Sequence, residues 1–544
     1  MSLPVPDLIV VNADMHTMDV AHPRAEALAI AGGRILAVGR NDEIRDLANG
    51  KTETIDAGGR LVLPGFQDTH IHLQDSGMEL SMGAVLYDAA TVEELQGLIA
   101  AYAAAHPGDG WLKGWGWSAG HFGAKNLTRE VLDAVVPDRP LAIWASDGHN
   151  AAINSAAIAA TGLDHVNDDP DNGHFVRDAQ GRVTGLLYEA AIHWVSARMP
   201  GPSHEDRMAG VRFGQGECNR HGITGVLDAL VLESHMAAYR ALADEDALTV
   251  RVAATALVEP DDTVAGALER VTMLRRDYAR PMARVHSAKF FLDGVMENRT
   301  GLMLEPYSDD GGNAELMFDA GHLEHLLVAF DAARFQLHIH VIGDGAARVA
   351  LDGIEAARRA NGPWPAWHQL AHVQMIDPAD IPRFRQLGAV CNMQPLWARH
   401  EASVEIVLPM VGPERAKWMY AWRSIVEAGA PYAVSSDWGV STLNPFPIMQ
   451  TAVTRIPPEK PKTPAFLPEQ TISVGDVVKG YTVNAAAAAW RADDTGTLSP
   501  GKFADLIVLD RDIFAVRPEA IGDTEVLATL LAGKPVHRAG HFGS

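Results

Sequence analysis

Two histidines one residue apart, His70 and His72, lie in the stretch LVLPGFQDTHIHL (61–73). On an extended strand, residues i and i+2 point to the same side. Both imidazoles therefore face one way. Neutral imidazole nitrogens converging from one strand can hold a divalent metal. Spacing alone is weak evidence. With 23 histidines in 544 residues, about one such pair is expected by chance, and a second, His338 and His340, is present. The setting carries more weight: an apolar run ends at the Pro64–Gly65 turn, and the next strand opens with an acid and two histidines.

More polar residues follow at the ends of other strand-like runs. Lys289 precedes the acid–glycine pair Asp293–Gly294, His338 and His340 precede Gly343–Asp344, His372 ends a further run, and Asp437 follows two serines. Four histidines, a lysine and an aspartate reaching one place from successive strands form a hard-to-borderline donor set suited to zinc. His338 and His340 are alternatives for one of these four.

Elements able to position these residues can be read from the chain. Strand-like runs at 222–230, 248–257, 284–294, 335–345, 367–376, 389–397 and 432–440 alternate with helical stretches such as 322–333, 345–361 and 416–429. Repeated βα units favour a parallel sheet. A doubly wound open sheet is the alternative. The (β/α)8 TIM-like barrel is preferred because polar residues fall at strand C-terminal ends in at least five units, where barrel active sites form.

Residues 1–62 and 495–544 both read as short strands with Gly turns, so the chain ends are expected to form a small β-sandwich around a barrel domain at 63–494. The segment 80–205 is too long for one βα return and reads as an inserted subdomain. Within it, TVEELQGLIAAYAAAH (91–106) is a helix opened by a Thr91/Glu94 capping box. LAIWASDGHNAAINSAAIAATG (141–162) reads as a strand, a polar turn and a helix. The alanine run at 485–489 is a helix interior.

Composition bounds the function. Hydrophobic residues make up 47% and charged residues 21%, which suits a soluble globular protein with a sizeable core. A net charge of −24 argues against nucleic acid and anionic membrane surfaces as partners. The two cysteines, Cys218 and Cys391, are expected as reduced thiols in a cytoplasmic protein. The N-terminal residues read as a strand rather than a leader, and no apolar run is long enough for a membrane span. No G-x-G-x-x-G opens a βα unit, which counts against a redox enzyme.

The sequence resembles the amidohydrolase superfamily, in the amidohydrolase 3 branch that includes N-substituted formamide deformylases. The resemblance runs nearly end to end: PGFQDTHIH, DGHNAAINSAAI (147–158), GLLYEAA (185–191), GITGVLDA (222–229), KFFLDG with NRTGLMLEPY (289–307), HVIGDGAA (340–347), SSDWGV (435–440) and GTLSPGKFADLIVLD (496–510) occur in order. It implies that His70 and His72 are first-strand metal ligands, His340 the fifth-strand ligand and His372 the sixth-strand ligand. Asp437 would be the eighth-strand aspartate that contacts metal and handles the proton of the attacking water. Lys289 falls where some members carry a carboxylated lysine bridging two metals, so one or two divalent ions per chain are implied. Ala371 stands where relatives often have Glu, so support for His372 is expected to differ. Gly439 replaces a frequent Pro.

Taken together, a metal-dependent hydrolase of a C–N amide-type bond is expected, acting on a small, partly apolar substrate. Hydrolysis of an ester, cyclic amide or carbamate on the same site is the alternative within enzymes, and a non-catalytic barrel scaffold the alternative outside them. Candidate substrate contacts are His149, which either lines the pocket or stabilises its own turn, Trp117, which either binds or packs, and Arg299. Met296, Met303 and Phe122 suit an apolar wall or ordinary core. Homo-oligomers are common for such barrels, and no interface pattern stands out.

Overall fold

Strands buried on both faces need apolar side chains in both directions, so they read as continuous rather than alternating apolar runs. Ile223–Val231 (ITGVLDALV) is of this kind, buried at all but one position. The computed structural model describes residues 5–118, 127–146, 148, 150–171, 173–540 and 542. It assembles eight such strands into a (β/α)8 barrel: β1 (Phe66–Ile71), β2 (Ile223–Val231), β3 (Arg251–Leu257), β4 (Ala283–Phe291), β5 (Gln336–Val341), β6 (Gln369–His372), β7 (Val390–Met393) and β8 (Tyr432–Val434). Neighbours pair in parallel from β1 round to β8. Each expected strand is present, and the ladder follows chain order.

The first and last strands meet at their C-terminal ends. Thr69 Oγ1 donates to Val434 O at 3.2 Å, the Asp437 amide donates to His70 O, and the His72 amide donates to Trp438 O, both at 2.8 Å. These bonds nearly close the barrel and bring Asp437 against the His70–His72 strand end. Gly65 is required where β1 begins, because a Cβ there would lie 2.4 Å from the Thr224 side chain.

Two further sheets come from the chain ends. Leu61–Pro64 pairs antiparallel with Leu506–Leu509, which pairs with Val526–Leu531. Leu8–Val11 lies between Ala27–Ala31 and Glu53–Asp56 in the second. One apolar cluster draws on both, with Leu8, Val10, Leu28, Ile30, Val62, Leu506 and Val508. A buried ion pair between Arg251 and Asp505, 2.8 Å apart, ties the C-terminal segment to β3.

The chain divides into two compact units, Met1–His72 with Gln215–Ser544, and Leu73–Gly214. The second has its own six-stranded sheet, running 173–177, 183–189, 150–153, 141–145, 112–117 and 84–85 in order. Its helix Val92–Ala105 carries the expected capping box: the Glu94 amide donates to Thr91 Oγ1 at 3.2 Å, and the Thr91 amide donates to the Glu94 carboxylate at 3.1 Å. Close helix contact is made by glycines, since a Cβ on Gly77 would lie 2.0 Å from Gly210 O.

Two elements differ from the sequence reading. The stretch 141–162 holds a second strand, Asn150–Ile153, antiparallel to Leu141–Ala145. Its helix starts only at Ser155, because the Asn154 side chain caps the Ala157 amide. The expected helix at 416–429 is two pieces, Pro413–Ala416 and Trp422–Glu427. Tyr420 at φ 49° breaks it, and its amide donates to Gln374 O at 2.8 Å instead of continuing the helix. Among the described residues no helix is long and apolar enough to cross a membrane.

Candidate metal centre

The barrel brings its strand-end donors to one spot. His70 on β1 and His72 just beyond its end are brought to the cluster, the pairing of β1 with β2 being irregular between Asp68 and Ile71. Asp68 accepts amide hydrogen bonds from His70 and Ser436 at 3.1–3.2 Å, which fixes the start of the Ser436–Asp437 turn against β1. Burial pushes the Asp68 carboxyl up to about 7, against the pull of those hydrogen bonds.

His70, His372 and Asp437 each offer a ligand atom within 4.8 Å of the others, and all three are buried. Asp437 Oδ1 lies 3.7 Å from His70 Nε2 and 3.3 Å from His72 Nε2, and Oδ2 lies 3.8 Å from His372 Nδ1. Yet Oδ1 is buried and accepts no hydrogen bond among the described residues. A buried carboxylate oxygen left unpaired costs free energy. Surrounded by imidazole nitrogens, it is half of a cation site, and three imidazoles with one carboxylate match the donors that divalent zinc-type ions take. The residues present therefore fit a metal.

Electrostatics agree with neutral ligands. Burial, helped by the Lys289 charge, holds the His70 imidazole well below its ordinary value, and burial with neighbouring His340 does the same to His372. For His72, burial opposes protonation, but Asp437 outweighs it and raises the pKa. His72 is also the outermost of these ligand candidates, its side chain 25% exposed.

Lys289 is buried on β4, its Nζ 3.5 Å from His70 Nε2 and 4.4 Å from the centre of the Phe291 ring. Burial lowers its ammonium to about 7, against the Asp437 charge. His340 stands beside the group, its ring centre 4.6 Å from that of His372. Its Nε2 lies 3.3 Å from Gly294 O and 3.8 Å from Asp293 Oδ1, outside the tight group. His338 supports rather than joins the group: its Nε2 is 2.8 Å from His70 Nδ1.

The candidate substrate contacts fare differently. Trp117 is fully buried among Leu95, Leu112, Leu127 and Ile143. Of the two roles open to it, burial in this cluster favours packing. Arg299 is held by Asp309 at 2.6 Å and Asp310 at 2.9 Å, so its guanidinium is neutralised within its own loop. Met296 and Met303 are buried core. His149 and Phe122 lie outside the described residues.

Several residues with parts at the centre carry no motif. Gln394 Oε1 lies 3.1 Å from His372 Nδ1 and fills the place left by Ala371. Trp397 stacks on the His372 ring at 5.2 Å and 12°. Asp293 anchors the loop after β4: its carboxylate accepts amide bonds from Leu302, Ile342 and Gly343 at 2.9–3.0 Å. The available sequence signal was the presence of buried-strand amides, Gln336, Gln369, Asn392 and Gln394, in otherwise apolar runs.

A (β/α)8 barrel with imidazoles and a carboxylate gathered at its strand C-termini defines a class of metal-dependent hydrolase folds. The chain belongs to the amidohydrolase family, whose model matches residues 53–537. It is 29% identical to Protein LONG AFTER FAR-RED 3 of Arabidopsis thaliana over 98% of this chain and 92% of that one. It is 28% identical to an N-substituted formamide deformylase of Arthrobacter pascens over 97% of each. The solved structure of an uncharacterized metal-dependent hydrolase from Pyrococcus horikoshii OT3 superposes with a TM-score of 0.77 at 24% identity, covering 94% of this chain and 99% of that one.

Proposed function

We propose that this protein hydrolyses a C–N amide-type bond in a small, partly apolar molecule, using a divalent ion held by His70, His72, His372 and Asp437. The observation that carries this reading is the buried, unpaired Asp437 Oδ1 facing two imidazole nitrogens. The donor set favours zinc. Likeness to a relative named for N-substituted formamides supports the C–N bond as the target.

A bound ion at this position would supply Lewis acidity to a substrate carbonyl and lower the pKa of water to about 7. The protein's own groups do the rest. The Asp437 carboxylate takes the proton of the attacking water and delivers it to the departing nitrogen. That delivery is essential for an amide, whose anion is a very poor leaving group. His338, against His70 Nδ1, leaves His70 Nε2 directed at Asp437. Lys289, with a pKa near 7, is partly neutral at physiological pH, the form that carboxylation requires. Carboxylated, it would join His340 in holding a second ion.

The test is elemental analysis of protein purified without chelator, followed by turnover on a panel of formamides, cyclic amides, carbamates and esters. About two ions per chain would support the carboxylated Lys289, and about one a mononuclear site. No metal after zinc reconstitution would replace this reading with a non-catalytic scaffold. Turnover confined to esters would move the activity off C–N bonds.

A further inference from the structure

A string of buried side-chain amides runs across the inside of β5, β6 and β7 and ends at His372. Its direction can be worked out from the backbone carbonyls that bound it, because a carbonyl only accepts. At one end, Gln336 Nε2 donates to Ala366 O at 3.2 Å and Ala488 O at 2.8 Å. Gln336 Oε1 must then accept, and Gln369 Nε2 donates to it at 2.8 Å. Gln369 Oε1 accepts from Asn392 Nδ2 at 2.7 Å, and the same Nδ2 donates to Thr69 O at 3.0 Å. Asn392 Oδ1 accepts from Gln394 Nε2 at 3.0 Å and from Ser435 Oγ at 2.6 Å. Gln394 Nε2 also donates to Ser435 Oγ at 2.7 Å.

Each amide is therefore locked one way round, and turning any one over would set oxygen against oxygen or nitrogen against nitrogen. The last free atom is Gln394 Oε1, which faces His372 Nδ1 at 3.1 Å. An amide oxygen can only accept, so the ring must carry its proton on Nδ1. Gln336, Gln369, Asn392, Gln394 and Ser435 are all buried, so no bulk water competes for these bonds.

We infer that Gln394 is a positioning residue that commits His372 to the Nδ1–H tautomer, so that the Nδ1 edge 3.8 Å from Asp437 Oδ2 is a donor and Nε2 is the only lone pair left for a metal. The inference rests on the metal-centre reading above and adds to it the selection of a donor atom through a one-way amide chain. Carboxylates or carbonyls commonly hold metal-ligating histidines in this manner, and losing such a partner typically costs 10–100-fold in metal affinity. Here a glutamine does it, supplied from just after β7 in place of the residue before His372.

Zinc affinity of the full-length protein, measured by chelator competition, and the visible absorption of the cobalt-substituted protein test this without reference to turnover. Gln394→Met keeps the shape and loses the acceptor; affinity should fall about 10–100-fold and the cobalt bands should shift. Gln394→Glu keeps an acceptor opposite Nδ1 and should hold zinc within about threefold of the parent, even where it lowers thermal stability. Should the Met variant not fold, Gln394→Leu also removes the acceptor and should weaken zinc by about threefold or more. Unchanged affinity in the Met variant, or in Gln394→Leu where that variant stands in for it, or equal losses in the Met and Glu variants, would overturn the positioning role. A parent protein that binds no zinc at all would instead overturn the metal centre itself.

Discussion

Two histidine–aspartate groupings in the same barrel end up in opposite states. At the strand C-termini, Asp437 sits 3.3–3.8 Å from three histidines with Oδ1 accepting no hydrogen bond. At the other end, just before β6, His368 Nε2 donates to Asp331 Oδ1 at 2.9 Å, and its Nδ1 accepts the Leu337 amide at 2.9 Å. Asp331 also accepts from Trp364 Nε1 at 2.6 Å and Asn361 Nδ2 at 2.8 Å. The residue types are the same and both sites are buried. One group spends its polar atoms on the fold, and the other keeps them aimed at a common point. Unspent polar atoms converging on one point, rather than histidine and aspartate content, separate the candidate ligand site from a structural clasp.

Mutation should separate the two groups. The largest effect is expected at Asp437→Asn: turnover should drop by about 10²–10⁴ while metal content and fold persist, read by steady-state kinetics beside elemental analysis. Full turnover in this variant would remove Asp437 from proton transfer.

Asp331→Ala should behave in reverse. It strands three donors, at a cost of about 3 kcal/mol in urea unfolding, yet the folded fraction should retain its metal. Loss of metal from folded Asp331→Ala would break the distinction between the two groups.

A third histidine sharpens it through pH. His286, at the start of β4, meets Ala488 O at 3.2 Å through Nε2 and has a buried Nδ1 with no hydrogen bond among the described residues. Burial, with Arg284 adding to it, lowers its pKa to about 3. Between the ordinary value near 6.5 and that figure, the unfolded chain binds the extra proton. Stability is therefore full above pH 6.5 and falls as pH drops, by up to about 1.4 kcal/mol per pH unit from this residue. In His286→Asn, the slope of urea midpoint against pH between 6.5 and 5 should flatten; an unchanged slope would show that His286 is not its source.

The smallest effect lies outside the barrel. Thr91→Ala removes the cap of helix Val92–Ala105 and should cost about 1 kcal/mol, visible as faster amide exchange in that helix's first turn. Turnover should not change.

Much of this was legible in the chain. The eight barrel strands could be read as apolar runs because a sheet covered on both faces demands them. His70, His72, Lys289 and Asp437 could be picked out because each sits at a strand end beside a turn. The Thr91/Glu94 box was legible because capping is local, decided within four residues. Contacts distant in sequence were less legible. For Trp117, among glycines, binding and packing were both open, and its place in the apolar cluster of its own unit came only with the fold. The helix expected across 416–429 failed because Gln374, far earlier in the chain, takes the Tyr420 amide.

By itself the sequence determined which donors reach the barrel mouth and in what order, because strand periodicity and turn chemistry act over a few residues. Only the tertiary structure decided how those donors are divided. It turned His338 onto His70 and His340 towards Gly294, left Asp437 Oδ1 unpaired, and set Gln394 opposite His372. Hydrogen bonds between strands depend on register and side-chain direction, which are settled when the barrel closes.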